Sequence, residues 1–475
     1  MKKKEHRLSN KLIIILLASI VLFTFIIMQG SGLSSSTLSL MPANKPDFTI
    51  SFSNGSYYAK SAIAEYPDFS DPNFAKVFDH VIQSLKENKR NGTVRTIYLP
   101  SKVYAVPSDL VVDVPNVEIY GNDNAAELDS MDSNINIINI MANNIRIHDL
   151  HIRQIHGTGK GIFISKPTAN IHIYNNRIDN TYLAIYSIGS QNNIEIRDNS
   201  IFNGGDGSAS IMLINSSGRL GNGVIITGNK ITNSTRHAIE IYSSGTAGIQ
   251  WSNVTVSDNI ITNSVQAGIF LAETTNAIVK NNKIYGAGAE ALDFEHSTFI
   301  KIQENTIVSN HYVAISILSL QSGKSNNIEI MSNDITTTTT SHPEVLIDNA
   351  DKVNIEENII NTPNDAIQPI GDINDLFIKG NVLKHIMSGS GEGVRLDLGE
   401  GKTARNIIIE NNNISGFGTA VNFHAGGIFY DVTLTNNDLR QNRIAIVLNS
   451  LPTPFSKNDN IRYSLENLRH IILNP

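Results

Sequence analysis

The stretch Asn193-Ile-Glu-Ile-Arg-Asp-Asn-Ser-Ile201 is the unit from which the chain is built: Ile alternating with polar residues, then Asn, then Ile again. Aligning its copies on the Asn after the alternating run brings Asn176, Asn199, Asn229, Asn259, Asn282, Asn305, Asn333, Asn358, Asn381, Asn412 and Asn437 into register. Their spacings are 23, 30, 30, 23, 23, 28, 25, 23, 31 and 25 residues, and self-similarity at such a period is the signature of a solenoid. Segments such as Val224-Ile-Ile226, Val254-Thr-Val256, Val353-Asn-Ile355 and Val432-Thr-Leu434 alternate at period two. Their β-branched residues suit strands and exclude helical repeats.

A second short strand follows in each copy, opened in eleven of twelve cases by a small residue: Gly161, Ala184, Ser210, Ala238, Gly268, Ala291, Ala314, Ala366, Gly393, Ala420 and Ala445, with Glu344 the exception. A small residue fits a sharp corner. Short parallel strands wound into a coil and stacked at ~4.8 Å per rung bury their inward Ile and Val against the rungs above and below. The aligned Asn residues then stack as well, and amide-to-amide bonding between rungs gives them a structural reason to recur.

These repeats resemble those of the right-handed parallel β-helix, the pectate-lyase-like or carbohydrate-binding and sugar-hydrolase superfamily, over residues 95–450. The resemblance implies an all-β fold: a right-handed single-stranded parallel β-helix solenoid of about twelve rungs with an N-terminal capping helix. It says less about function, because this scaffold hosts lyases, hydrolases, epimerases and non-catalytic surface proteins.

A continuous array overrides the two or three domains that 475 residues would otherwise suggest. Residues 1–36 read as a signal-anchor or signal peptide: a Lys-rich start precedes a seventeen-residue apolar run at 12–28, with no clear A-x-A cleavage site after it. Basic residues before the run put the remainder outside, so the expectation is a membrane-anchored protein facing outward, or a secreted one if the segment is cleaved. Residues 37–94 read as tether and N-terminal cap. Within them a strand pair is expected over 47–59 and a helix over 72–91, with Asp71 as its cap and Pro72 in its first turn. Phe74, Val77, Phe78, Val81, Ile82 and Leu85 form its apolar stripe, and its place is as a lid on the first rung. Residues 451–475 read as the other lid, with apolar residues at helix-like intervals over 461–473. There is no Cys, so neither disulfides nor thiolate chemistry contribute. Net charge is −7; the first eleven residues carry +4 of it, which leaves −11 elsewhere and no positive stripe for nucleic acid.

Outward side chains on neighbouring rungs lie ~4.8 Å apart, so aligning the second strands shows which polar groups meet. The densest cluster is Glu290, Asp293, Glu295 and His296, with Glu273 one rung earlier aligned to His296, and Glu240 with Tyr242 two rungs before. Asp293 and Glu295, two apart on one strand face, stand roughly 6 to 7 Å apart, near the carboxyl separation of inverting glycosidases. Crowding raises a carboxyl pKa for general-acid work; calcium at Asp293 and Glu295 is the alternative use of these oxygens, and a solvated acidic surface is the plain one. The expected catalytic set is therefore Asp293, Glu295, His296 and Glu240, with Tyr242, Phe270, Glu273, His237, His311 and Tyr312 lining the substrate. His237 and His311 are read as proton shuttles or as corner residues. Phe163, Tyr186, Met212 and Phe270 are read as sugar-stacking platforms or as residues packed under a loop. A thinner set, Arg395, Asp397, Asn422 and His424, pairs Arg395 with Asn422 and Asp397 with His424 by alignment.

The sharper motifs of the resembling enzymes are absent from the sequence: the paired Asp-Asp with downstream Gly-His-Gly and Arg-x-Lys of polygalacturonases, the Asp-Pro-His-Asp of alginate epimerases, and the Arg-rich and Trp-x-Asp-His signatures of pectate lyases. No catalytic residue is carried over. The expectation is an extracytoplasmic, membrane-tethered protein that binds a polysaccharide or cell-envelope glycan and cleaves or epimerises it, against the alternative of a non-catalytic surface or adhesion rod.

Overall fold

Winding the Ile, Val and Asn pattern into a coil produces three parallel sheets, one strand from each per turn. Sheet A takes strands such as Asn192–Arg197, sheet B such as Ser200–Phe202 and sheet C such as Ile211–Asn215. Among the described residues they hold 18, 14 and 15 strands, in a β-solenoid of about 13 turns. At ~4.8 Å per turn the coil is on the order of 60 Å long. The computed structural model describes residues 45–449 apart from 64–65, 88–91, 132–133, 155–157, 205–208, 244–250, 309–310, 321–322, 339–340 and 388–389, and also the strands Phe455–Lys457 and Ile471–Leu473. The chain divides into residues 1–45 and 46–475. The N-terminal apolar run, with the anchor read into it, therefore lies outside the described residues. Among those described, no helix is long and apolar enough to cross a membrane.

The interior consists of identical positions stacked in file. In sheet A, Ile194 pairs with Val224, Val224 with Val254, Val254 with Ala277 and Ala277 with Ile300, all sealed from solvent. Each such side chain removes its apolar surface from water on both sides, worth roughly 1.5 to 3 kcal/mol for a fully buried Ile or Val.

At the corner between sheets A and B the eleven aligned Asn form a continuous ladder. Asn282 shows the pattern. Its Oδ1 accepts from the Asn259 backbone N–H at 3.1 Å and from Asn259 Nδ2 at 3.0 Å, while its own Nδ2 donates to Val256 O at 2.9 Å and to Asn305 Oδ1 at 3.0 Å. The same amide link runs from Asn176 to Asn437. The residue before each ladder Asn turns the chain through the left-handed region, as at Asp198, Asp258 and Asn281 (φ +55°, +57° and +52°).

The expected strand pair is present as the antiparallel hairpin Phe48–Ser53 and Ser56–Ser61, whose first strand joins Arg95–Tyr98 in parallel. Helix α1 spans Phe74–Glu87, and all six residues of the expected apolar stripe are buried beneath it. Its cap differs from the expectation: Asn73 Oδ1 accepts from the Lys76 N–H, while Asp71 Oδ1 holds the Asn73 N–H, so Asp71 shapes the turn one step earlier. Phe74 packs on Tyr104, ring centroids 5.0 Å apart, which seats α1 on the first turn. At the far end, Ile471–Leu473 is a strand paired with Ile444–Leu448, which corrects the helical spacing read there. Residues 461–470 of that reading lie outside the described residues.

Glu344, the exception among the small corner residues, is fully buried. The hydroxyls of Thr337 and Thr362 both bond its Oε1, and its Oε2 has no hydrogen-bond partner. Burial pushes its pKa up to about 7, against the pull of the two hydroxyls.

Two outcomes follow from these contacts. Asn282→Ala leaves adjacent amides and Val256 O short of partners and is expected to cost ~1 to 3 kcal/mol, read as a lower denaturant midpoint. For Glu344 the folded-state pKa lies above the unfolded value, so its contribution is full below about 4.5 and is lost as pH rises through about 7. Glu344→Gln should therefore gain on the wild type over that window, by roughly 3 kcal/mol at most, read as diverging melting temperatures in a pH series.

Candidate functional site

The register of sheet C sets seven outward residues in one file: Phe163, Tyr186, Met212, Glu240, Phe270, Asp293 and Ser316. Its early part is apolar. Leu183, Ala209, Met212 and Ile214 cluster on the outer surface with Tyr182, Tyr186 and Tyr242 against them, so Met212 packs under its neighbours. The rings of Phe163 and Tyr186 stack on each other at 5.2 Å and 12°, with Lys160 Nζ 5.5 Å from the Phe163 centroid. Stacking along the coil axis turns these ring faces toward each other and leaves their rims outward. Phe270 likewise stacks on His237 at 5.2 Å.

The later part of the file carries the acids. Glu240 is 1 % exposed; its Oε2 lacks a hydrogen bond and lies 3.6 Å from Arg236 Nη1. Burial raises its pKa to about 6 despite Arg236. Asp293 is 7 % exposed, and its Oδ1 has no hydrogen-bond partner. Burial, then the charges of Glu290 and Glu295, push its pKa up to about 8, while hydrogen bonds from Ser316 and the Phe294 N–H pull the other way. Glu295, half-buried on the same strand, is raised by burial, then by Glu290 and Glu273. An acid pushed up to about 8 thus stands beside a more exposed carboxyl that is itself raised.

The strand register sets Ala272 opposite Glu295, so Glu273 and His296 hold corresponding corner positions, both with positive φ (55° and 41°). Leu320 and Gly323 pair in a bridge, and a Cβ on Gly323 would come within 2.5 Å of His296 Nε2. His237 Nδ1 accepts the Ala267 N–H at 3.1 Å, and burial, then Arg236, lowers its pKa to about 4, so its ring is neutral at neutral pH and Nδ1 is occupied. His311 and Tyr312 are exposed on the bend before the next sheet C strand, with the Tyr312 and His342 ring centroids 3.8 Å apart.

The thinner set is wired differently from its alignment. Arg395 does sit opposite Asn422. Yet Arg395 binds Asp365 at 3.2 Å and Asp397 at 2.8 Å, and His424 pairs with Glu392 at 2.9 Å rather than with Asp397. Asp365 and Glu392 both occupy the position just before the corner residue, one step outside the rows aligned from sequence; extending the alignment by that one position would have found them. Asp365, Arg395, Gln368 and His342 help line a polar concavity of about 380 Å³. A larger one, of about 580 Å³, opens on sheet A. Neither is lined by Glu240, Asp293 or Glu295. Among the described residues, no three His, Asp or Glu side chains are grouped to hold a metal ion.

A family model described as a right handed beta helix region matches residues 202–342. No curated protein matches the chain. Among solved structures it is similar to the Dettilon tailspike protein (12% identity, 79% of this chain and 65% of that one, TM-score 0.45). The chain thus spans about two thirds of the tailspike's length. It is also similar to the A-module of the Azotobacter vinelandii mannuronan C-5 epimerase AlgE6 (13%, 84% and 96%, 0.40) and to PfbA, a surface adhesin of Streptococcus pneumoniae (13%, 77% and 88%, 0.43). With its stacked parallel sheets and asparagine ladder the chain is a parallel β-solenoid, and over residues 202–342 it matches the right handed beta helix region.

Proposed function

We propose that the outer face of sheet C from Glu240 to His296 binds a polysaccharide and cleaves or epimerises it, with Asp293 as the proton donor. The observation that carries this reading is the Asp293 carboxyl: nine-tenths buried, one oxygen unbonded, and pushed up to about 8 among other acids. Holding such a group costs stability, as Glu344 does in the interior; what sets Asp293 apart is its outward row and the neighbouring carboxyls Glu290 and Glu295. Glu295, the more exposed of the pair, is the carboxylate that reaches the glycan. Its Cα lies roughly 6 to 7 Å along the strand from that of Asp293, on the same face of sheet C. Glu240 serves as the second titrating carboxyl, and Glu273 positions His296.

The ligand best suited to this face is a neutral glycan, because Glu240, Glu273, Glu290 and Glu295 repel an acidic one. An acidic glycan would need calcium shared between protein and sugar oxygens. If residues 12–28 anchor the chain, the face works outside the cytoplasm, on cell-envelope or environmental polysaccharide.

The test assays wild type, Asp293→Asn and Glu295→Gln against neutral and acidic polysaccharides, with and without chelator. Each substitution should lower turnover by ~10²- to 10⁴-fold while leaving the fold intact by melting temperature. Wild-type activity should fall as pH rises past about 8, where Asp293 loses its proton, and as pH drops below about 6, where Glu240 gains one. A lyase reaction would show as ultraviolet absorbance of an unsaturated product. Identical behaviour of all three proteins on every glycan would make this a solvated surface and favour the non-catalytic adhesion or structural rod.

A further inference from the structure

Thirteen of the sheet A strands carry a residue in the left-handed region at or near their start, and these residues form a second file along the coil: Asn116, Asn144, Asn170, Asn193, Gly223, Asn253, Asn276, Phe299, Asn327, Lys352, Asp375, Asn406 and Asp431. Asn, Asp and Gly take this conformation readily, whereas a bulky side chain there is a strained outlier. Phe299, at φ +56°, is the aromatic member of the file. Its ring is 57 % exposed, so interior packing does not offset the strain.

Phe299 also breaks a bonding pattern. In the early turns the amides of the file link from turn to turn: Asn144 donates to Asn116 at 2.8 Å, Asn170 to Asn144 at 2.8 Å and Asn193 to Asn170 at 3.0 Å. Around Phe299 the amides bond elsewhere: Asn327 turns to its own neighbour Asn326, and Asn253 donates to Asn222. At this break lies the 580 Å³ concavity, lined by Phe299 with Asn253, Asn276 and Asn327 and floored by Ile278. Its charged lining residues, Lys301 and Glu329, neutralise each other at 2.8 Å. An exposed aromatic ring, amides with spare donors and acceptors, no net charge and a volume in the range of small-ligand sites together have the chemistry that recognises a sugar.

We propose that this concavity is a second glycan site, one that takes a neutral saccharide with the apolar face of a pyranose against Phe299 and its hydroxyls on the flanking amides. It lies on a different sheet from the acidic cluster and rests on separate observations. Phe299 follows Glu295 by four residues, so a single turn of the coil carries a residue of each site.

The test measures binding of a panel of neutral and acidic oligosaccharides to wild type, Phe299→Asn and Phe299→Trp by calorimetry, with sedimentation of each protein alongside. Phe299→Asn puts the file's commonest residue back and should raise the melting temperature, so loss of binding cannot be ascribed to unfolding. A neutral oligosaccharide should bind the wild type, lose at least tenfold in affinity with Phe299→Asn, and keep its affinity with Phe299→Trp. No neutral oligosaccharide bound, or binding unchanged by Phe299→Asn, overturns the proposal. So does a Phe299→Asn protein whose only change is weaker self-association, which would make the patch a contact between copies of this chain.

Discussion

The hydrogen bond from one asparagine amide to the next, repeated along the corner between sheets A and B, is the constraint on which the rest of the structure depends. A polar group buried in a coil of Ile and Val is costly unless every donor and acceptor is met. The ladder meets them because each Asn Oδ1 takes two donors from the Asn before it and each Nδ2 gives to a carbonyl and to the Asn after it. Such a closed arrangement fixes register. A strand slipped by one residue would lose its amide contacts and turn its Ile side chains out. Turn lengths are free to vary elsewhere, so insertions do not disturb the stack.

Fixed register is also what creates chemistry on the outside. Because Glu240, Phe270, Asp293 and Ser316 follow one another in a single file, their environments are set by neighbours one rung away rather than by a folded pocket. Asp293 loses its hydration to that crowding and faces two like charges, and both effects favour its protonated form. Asp365 with Arg395 shows the opposite result of the same geometry, stacked opposite charges that satisfy each other, and Glu392 meets the His424 ring in a hydrogen bond.

The solenoid was legible because its two signals, alternation at period two and a recurring Asn, each report a separate physical requirement. Neighbour relations within sheet C were legible for the same reason; Phe270 beside Asp293 and Arg395 beside Asn422 follow from counting alone. Side-chain choices were not. His424 reaches Glu392 across a diagonal that alignment by rows does not rank, and His237 points its Nδ1 to a backbone N–H rather than to solvent. Asp71 looked like the helix cap because Pro72 suits a first turn, whereas the helix begins two residues later and Asn73 takes the role. Phe299 is an aromatic residue in a file of positive-φ positions held mostly by Asn, Asp and Gly, a placement that only the backbone reveals.

The chemistry proposed for sheet C depends on a proton held by Asp293 at neutral pH. Selective carbon-13 labelling of Asp side chains, with Asp293→Asn to assign the resonance, allows its carboxyl to be titrated directly in the folded protein. A midpoint near 8 is the predicted result. A midpoint at the ordinary aspartate value near 4 would contradict the account and leave sheet C without its proton donor.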